Sequence, residues 1–272
     1  MSTSSNNMSF LEHLEELRWH IIRSIAAIVF CGFICFIMKD FIFDTIIFGP
    51  KKMSFPTYKF LCQAATFIGI ETNFCADTFP FIIQNRTMTG QFSAHIMTSI
   101  IGGFIISFPY ILYEFWKFIS PGLLKEEKSS SGVFIFICSL LFFMGVLFGY
   151  YILTPLSINF LGTYQVSKEV MNEIDLGSFI SLVRSSSLAS GIIFELPVIV
   201  YFLTKIGLVT PKTLIQFRKY ALVLVLILAA IITPPDVASQ IIVAIPIIIL
   251  YQFSILISKL VLKKQKNEIK SL

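Results

Sequence analysis

Glu195 and Pro197 stand two positions apart within a mostly apolar run from Leu182 to Gly207. The run is long enough to cross a bilayer, which takes about 20 apolar residues. A carboxylate at that depth costs from about 2.5 kcal/mol upward, so it faces protein or a water-filled cavity rather than lipid. Pro197 has no amide hydrogen, which leaves the Ile193 carbonyl without its helical partner. A buried acid and an open backbone acceptor therefore lie within one turn of each other. The chemistry on offer is polar docking or gating inside a membrane. The plainer alternative is a structural carboxylate bonded to a neighbouring helix, with Pro197 a tolerated kink.

The other reactive side chains offer less. Cys62 and Cys75 lie in one long polar-to-mixed segment. A disulfide there would stabilise by about 3 kcal/mol in the chain-entropy model, and two free thiols are the alternative. Cys31, Cys35 and Cys138 lie in apolar runs and read as small core residues. His13, His20 and His95 have no paired catalytic arrangement around them. The sequence has no phosphate-binding loop, no metal-ligand spacing and no nucleophile with a base, so we expect no enzyme, no cofactor and no metal.

The elements that must position these residues are membrane spans. The chain has 272 residues, 56% of them hydrophobic and only 14% charged. Soluble domains carry about 25% charged residues. This is an all-α polytopic membrane protein, expected to form a single membrane domain over residues 1–272. The polar, acidic start lacks the pattern of a cleavable signal peptide. The net charge of +5 reads as membrane orientation rather than nucleic-acid binding.

Ser9 and Glu12 have the spacing of a capping box, and Phe10, Leu14, Leu17 and Ile21 fall on one helical face. They predict an amphipathic cytoplasmic helix within residues 1–20 that leads into a first span, Ile21 to Met38. A long outer loop with little helical periodicity follows, residues 39–93. His95 to Phe118 is the second span, kinked at Pro109. A short polar loop, Ser120 to Ser131, holds Glu126 and Glu127. Gly132 to Leu153 is the third span, stopped by Pro155, and Ser157 to Phe179 is a second outer loop. Arg184, followed by three serines, makes one end of the fourth span polar; a solvated face or a snorkelling arginine accounts for it. The fifth apolar run, Tyr220 to Ile232, reaches only roughly 20 Å, short of the roughly 30 Å hydrocarbon core. Thr233 to Asp236 turns the chain into a sixth span, Val237 to Leu262. A hairpin this short should locally thin the bilayer. Residues 263–272 form a basic cytoplasmic tail.

With both termini cytoplasmic, most of the 21 lysines and arginines fall on the inner side. The exceptions are Lys39, Lys51, Lys52, Lys59 and Arg86 in the long loop, Lys168 in the second, and Arg184 within a span.

Several blocks resemble one family. HLEELR ending at Arg18, FISPGLLKEE from Phe118 to Glu127, FELPVIVYFLTKIGLVTP from Phe194 to Pro211, and the run from Arg218 through TPPD to Ser258 are similar to TatC, the multi-spanning receptor of the twin-arginine protein translocase. The blocks occur in family order and reach essentially all spans. The long loop with Cys62 and Cys75 is larger than the compact family pattern.

The resemblance implies a glove-shaped protein of six transmembrane helices in the bacterial inner membrane. It implies a cytoplasmic face that binds twin-arginine signal peptides of folded cargo. Glu16 and Glu127 match the two family glutamates for that recognition, and Arg18 matches an arginine beside them that would orient the acids. A guanidinium pairs with a carboxylate through two parallel hydrogen bonds, a fork that lysine cannot reproduce. Glu195, Thr233, Asp236 and Gln240 match intramembrane polar positions where TatA- or TatB-type single-span helices dock, and Pro109 matches a family proline. Homo-oligomers within a receptor complex, transport driven by the proton-motive force, and no nucleic acid partner complete the expectation.

Without the resemblance, Glu16 reads as a helix-surface charge near a helix N-terminus and Glu127 as a solvated loop charge beside Lys128. Asp236 reads as a cap on the sixth helix. A proton-coupled small-molecule transporter, with Glu195 and Asp236 as proton carriers, is the competing function. An intramembrane hydrolase is a distant third.

Overall fold

The computed structural model describes residues 10–69, 75, 78–119, 131–167, 169–232 and 237–270. Those residues fall into two compact units, one from Phe10 to Lys39 with His95–Leu140, the other Asp40–Ala94 with the chain from Leu141 onward.

The first unit is built on two long helices, α1 over Phe10–Ile37 and α3 over Gly90–Ile119. Small residues let them approach closely. A Cβ placed on Gly103 would lie 2.7 Å from the Gly32 Cα, and one on Gly102 would meet the Cys35 sulfur at 3.1 Å. With no hydrophobic drive between helices in lipid, such close backbone packing supplies the association energy. His95 closes one end, its Nε2 3.0 Å from the Phe36 carbonyl oxygen and its ring stacked on Phe36. Helix α3 runs through Pro109 as one element.

In the second unit, residues 40–94 contain more structure than the sequence reading predicts. A π-helical stretch, Phe41–Ile47, is followed by helix α2 over Pro56–Ile68, which opens on a proline and closes on Gly69 in the left-handed conformation, φ 76°. Proline costs a first turn nothing and glycine suits the exit, so the short helix is defined by its ends rather than by periodicity. Strand β1, Phe81–Gln84, pairs in parallel with β2, Asn172–Asp175, Phe81 opposite Asn172. Cys62 and Cys75 are joined by a disulfide.

Pro155 does not stop the third span. Helix α4, Ser131–Phe148, widens into a π-helical turn, Gly149–Leu153, and continues as α5, Thr154–Thr163. Pro155 offers no amide hydrogen to the carbonyl one turn back, that of Tyr151. The Thr57 hydroxyl donates to that carbonyl from α2. The Pro155 carbonyl in turn lies 3.2 Å from the buried Tyr58 hydroxyl. The expected loop from Ser157 to Phe179 is therefore shorter than predicted, since α5 reaches Thr163, β2 spans Asn172–Asp175 and helix α6 already begins at Leu176.

Helix α6, Leu176–Phe194, packs on α4 and the π-helical turn that follows it through two glycines one turn apart. A Cβ on Gly145 would lie 2.6 Å from the Ser190 carbonyl oxygen, and one on Gly149 2.7 Å from the Ser187 Cα. The fourth span, expected to be disturbed at Pro197, is interrupted there. It breaks at Glu195 and resumes as α7, Leu196–Lys205, with Pro197 in the first turn. Helices α8 (Pro211–Gln216), α9 (Arg218–Ile232) and α10 (Val237–Lys270) complete the unit. The expected basic tail thus continues as helix to Lys270. Thr204 on α7 donates to Ser258 on α10 at 2.8 Å, both side chains fully buried.

Among the described residues, five helical stretches are long and apolar enough to cross a membrane: 14–37, 90–119, 132–163, 176–205 and 240–263. Helix α9, with 15 residues, is about 22 Å long and falls short of that length.

Candidate functional site

Glu16, Trp19, His20 and Arg23 recur at helical spacing on α1 and share one face. With Lys117 of α3 they line a cavity of about 430 Å³. Glu16 is half-buried, and its Oε2 is sealed from solvent without a hydrogen-bond partner. Such an oxygen calls for a donor, and a cationic fork is the strongest one available. Arg18 is exposed and does not line the cavity, so the structure does not bring it together with Glu16 there. Glu127 lies outside the described residues, as do Glu126 and the proposed cap residue Ser9.

Two of the lining residues, His20 and Arg23, also meet an acid on α3 that the sequence reading missed. Glu114 on α3 is 3% exposed. Its Oε2 lies 2.5 Å from the His20 Nδ1 and 3.8 Å from an Arg23 nitrogen, and its Oε1 accepts from the Tyr110 hydroxyl at 2.7 Å. A carboxylate so surrounded accepts on both oxygens, which assigns the hydrogen on Nδ1 to histidine. The signal was present: Glu114 is an acid in an apolar run, the same pattern that singled out Glu195.

Glu195 occupies the break between α6 and α7. Its amide turns back to the Ile192 carbonyl at 3.1 Å, and its own carbonyl receives the amides of Val198 and Ile199 at 2.9 and 3.0 Å. The side chain is 9% exposed, with Oε1 sealed and unpartnered. Gln240 donates to the Leu226 carbonyl at 3.1 Å, tying α10 to α9. Thr233 and Asp236 lie outside the described residues, so of the expected intramembrane group only Glu195 and Gln240 can be located. No group of three or more metal-ligating side chains occurs among the described residues.

The family model described as Sec-independent protein translocase protein (TatC) matches residues 12–246. The chain belongs to the TatC family. It is 46% identical to the TatC protein of Blattabacterium sp. subsp. Periplaneta americana over 97% of its own length and all of that relative. To the TatC protein of Aquifex aeolicus it is 36% identical, over 96% of this chain and 98% of the other. A crystal structure of the twin-arginine translocase receptor TatC in DDM superposes with a TM-score of 0.71 at 34% identity, covering 91% of this chain and 99% of that one. Family membership makes this a membrane protein of a transport family and agrees with the helical architecture described above.

Proposed function

We propose that this chain is the receptor of a twin-arginine translocation system in a bacterial inner membrane. It binds twin-arginine signal peptides of folded cargo at its cytoplasmic face and recruits TatA- and TatB-type single-span subunits for export driven by the proton-motive force, without catalysis of its own. Glu16 and Glu127 each take one arginine of the peptide, and Arg18 orients them. Glu195, Thr233, Asp236 and Gln240 form the docking positions for partner helices. Both termini lie in the cytoplasm, residues 39–93 lie outside it, α9 completes a six-span path through a thinned bilayer, and residues 1–272 act as one receptor domain, as a homo-oligomer.

The observation that carries this reading is Glu16. It borders a cavity with one carboxylate oxygen sealed and unpaired. An incoming guanidinium supplies the missing donor and pairs in a bidentate manner, which an ammonium cannot do. The test is binding of a labelled twin-arginine signal peptide to the purified chain in detergent, against a twin-lysine control. Selective binding that disappears in Glu16→Ala and in Glu127→Ala supports the receptor. Equal binding of the two peptides, or full binding by either variant, overturns this site.

A further inference from the structure

Helix α6 carries a second ionisable group in the same predicament as Glu195. Arg184 has Nε and Nη1 sealed from solvent without a hydrogen-bond partner. Neither Arg184 nor Glu195 enters any of the ion pairs among the described residues. Nη2 of Arg184 and the second carboxylate oxygen of Glu195 are not among the sealed atoms.

Their spacing gives the pair a direction. Glu195 follows Arg184 by three turns, about 16 Å along the axis and about 20° from the same line. The side of α6 that packs on α4 is a different one, carried by Ser186, Ser187 and Ser190. On the other flank of the Arg184–Glu195 line lies an exposed stripe of Ser181, Ser185 and Ile192. Two unsatisfied heads, a guanidinium and a carboxyl, thus border an open face whose serines allow close helix approach. A buried polar head without a partner is costly, and no hydrogen bond or ion pair among the described residues offsets it here.

We infer that the Arg184–Glu195 edge of α6 is a two-point docking register for one membrane-spanning helix of a partner. The partner helix presents a carboxylate to Arg184 and a hydrogen-bond donor, such as a glutamine amide, to Glu195, three turns apart. Charge complementarity fixes the polarity: the acid lies toward the Leu176 end and the donor toward the Lys205 end. This rests on the partner-docking role given to Glu195 under Proposed function, and adds a second anchor and a spacing to it.

The test uses the full chain in liposomes with a fluorescent leucine-rich spanning peptide. The peptide carries one glutamate and one glutamine at the spacing of Arg184 and Glu195, and a control carries them on opposite faces. Energy transfer to the labelled chain reads binding. The expected result is about tenfold weaker binding of the control peptide, and of the matched peptide by Arg184→Met or Glu195→Ala. Arg184→Glu binds a peptide whose glutamate is replaced by lysine. Arg184→Lys keeps the charge and retains most of the affinity, which guards against a folding defect in Arg184→Met. Unchanged binding by Arg184→Met with loss in Glu195→Ala overturns the second anchor and leaves the docking role of Glu195 standing. Unchanged binding by both variants overturns both. Equal binding of the two peptides overturns the register, and Arg184-dependent self-association without peptide shows a second copy of this chain as the occupant instead.

Discussion

The Nδ1 of His20 lies 2.5 Å from the Oε2 of Glu114, joining α1 to α3 through a buried polar contact one turn from Glu16. Side chains on α1 that face the cavity therefore share their helix register with a pair that cannot slide without taking the near donor from Glu114 Oε2. Removing one partner of a buried pair strands the other in a poor solvent.

The first prediction concerns that pair. Glu114→Ala and His20→Ala each destabilise the purified chain by about 3–5 kcal/mol, and the double variant costs clearly less than the two added together. Unfolding in detergent, followed by far-ultraviolet circular dichroism over a denaturant series, measures both. Strict additivity would sink the idea.

The contact of α4 with α6 makes the second. Gly145→Val and Gly149→Val drive a side chain into the α6 backbone, where a Cβ alone is already too close. Each lowers the thermal midpoint and the yield of monodisperse protein. Gly132→Ala, with nothing within 4 Å of the added carbon, leaves both unchanged.

A third follows from Tyr58, fully buried with its hydroxyl 2.9 Å from the Pro50 carbonyl oxygen. Burial pushes its phenol well above the ordinary value of 10.0. The folded state thus holds this proton more tightly than the unfolded one. Its contribution is complete below about pH 10 and is lost as pH rises beyond that. Alkaline titration should show a stability loss that is smaller in Tyr58→Phe. That variant is less stable at neutral pH by about 1–2 kcal/mol, because a buried carbonyl loses its donor.

Thr204 and Ser258 give a fourth. Thr204→Val or Ser258→Ala breaks the bond between α7 and α10 at a cost of about 1 kcal/mol, and the double variant costs little more than either single change. A denaturation series on the three variants decides it.

Much of the architecture was legible because lipid imposes a coarse code. Apolar runs of sufficient length marked the five longest helices, and Pro197 with Glu195 marked the place where the fourth is interrupted. What escaped depends on partners distant in sequence. Pro155 reads locally as a stop, yet Thr57 meets the backbone it disturbs, from far away in the chain. Helix α2 is framed by Pro56 and Gly69 rather than by periodicity. Cys62 and Cys75 left two readings open, since pairing is a matter of distance in space. At the candidate site, Glu16 was singled out through motif context, while His20 read as a histidine without a partner and Glu114 drew no reading, because the pair exists only where the helices meet.

The donor at Thr57 also bears on biogenesis. Thr57 precedes Tyr151 by 94 residues, so ribosome and insertion machinery deliver it first. When the proline-bearing span arrives, the hydroxyl that serves its carbonyl is already made. Chain order thus supplies that donor before it is needed, and a circular permutant opened ahead of Gly90, so that residues 40–89 follow the third span, would forfeit this order.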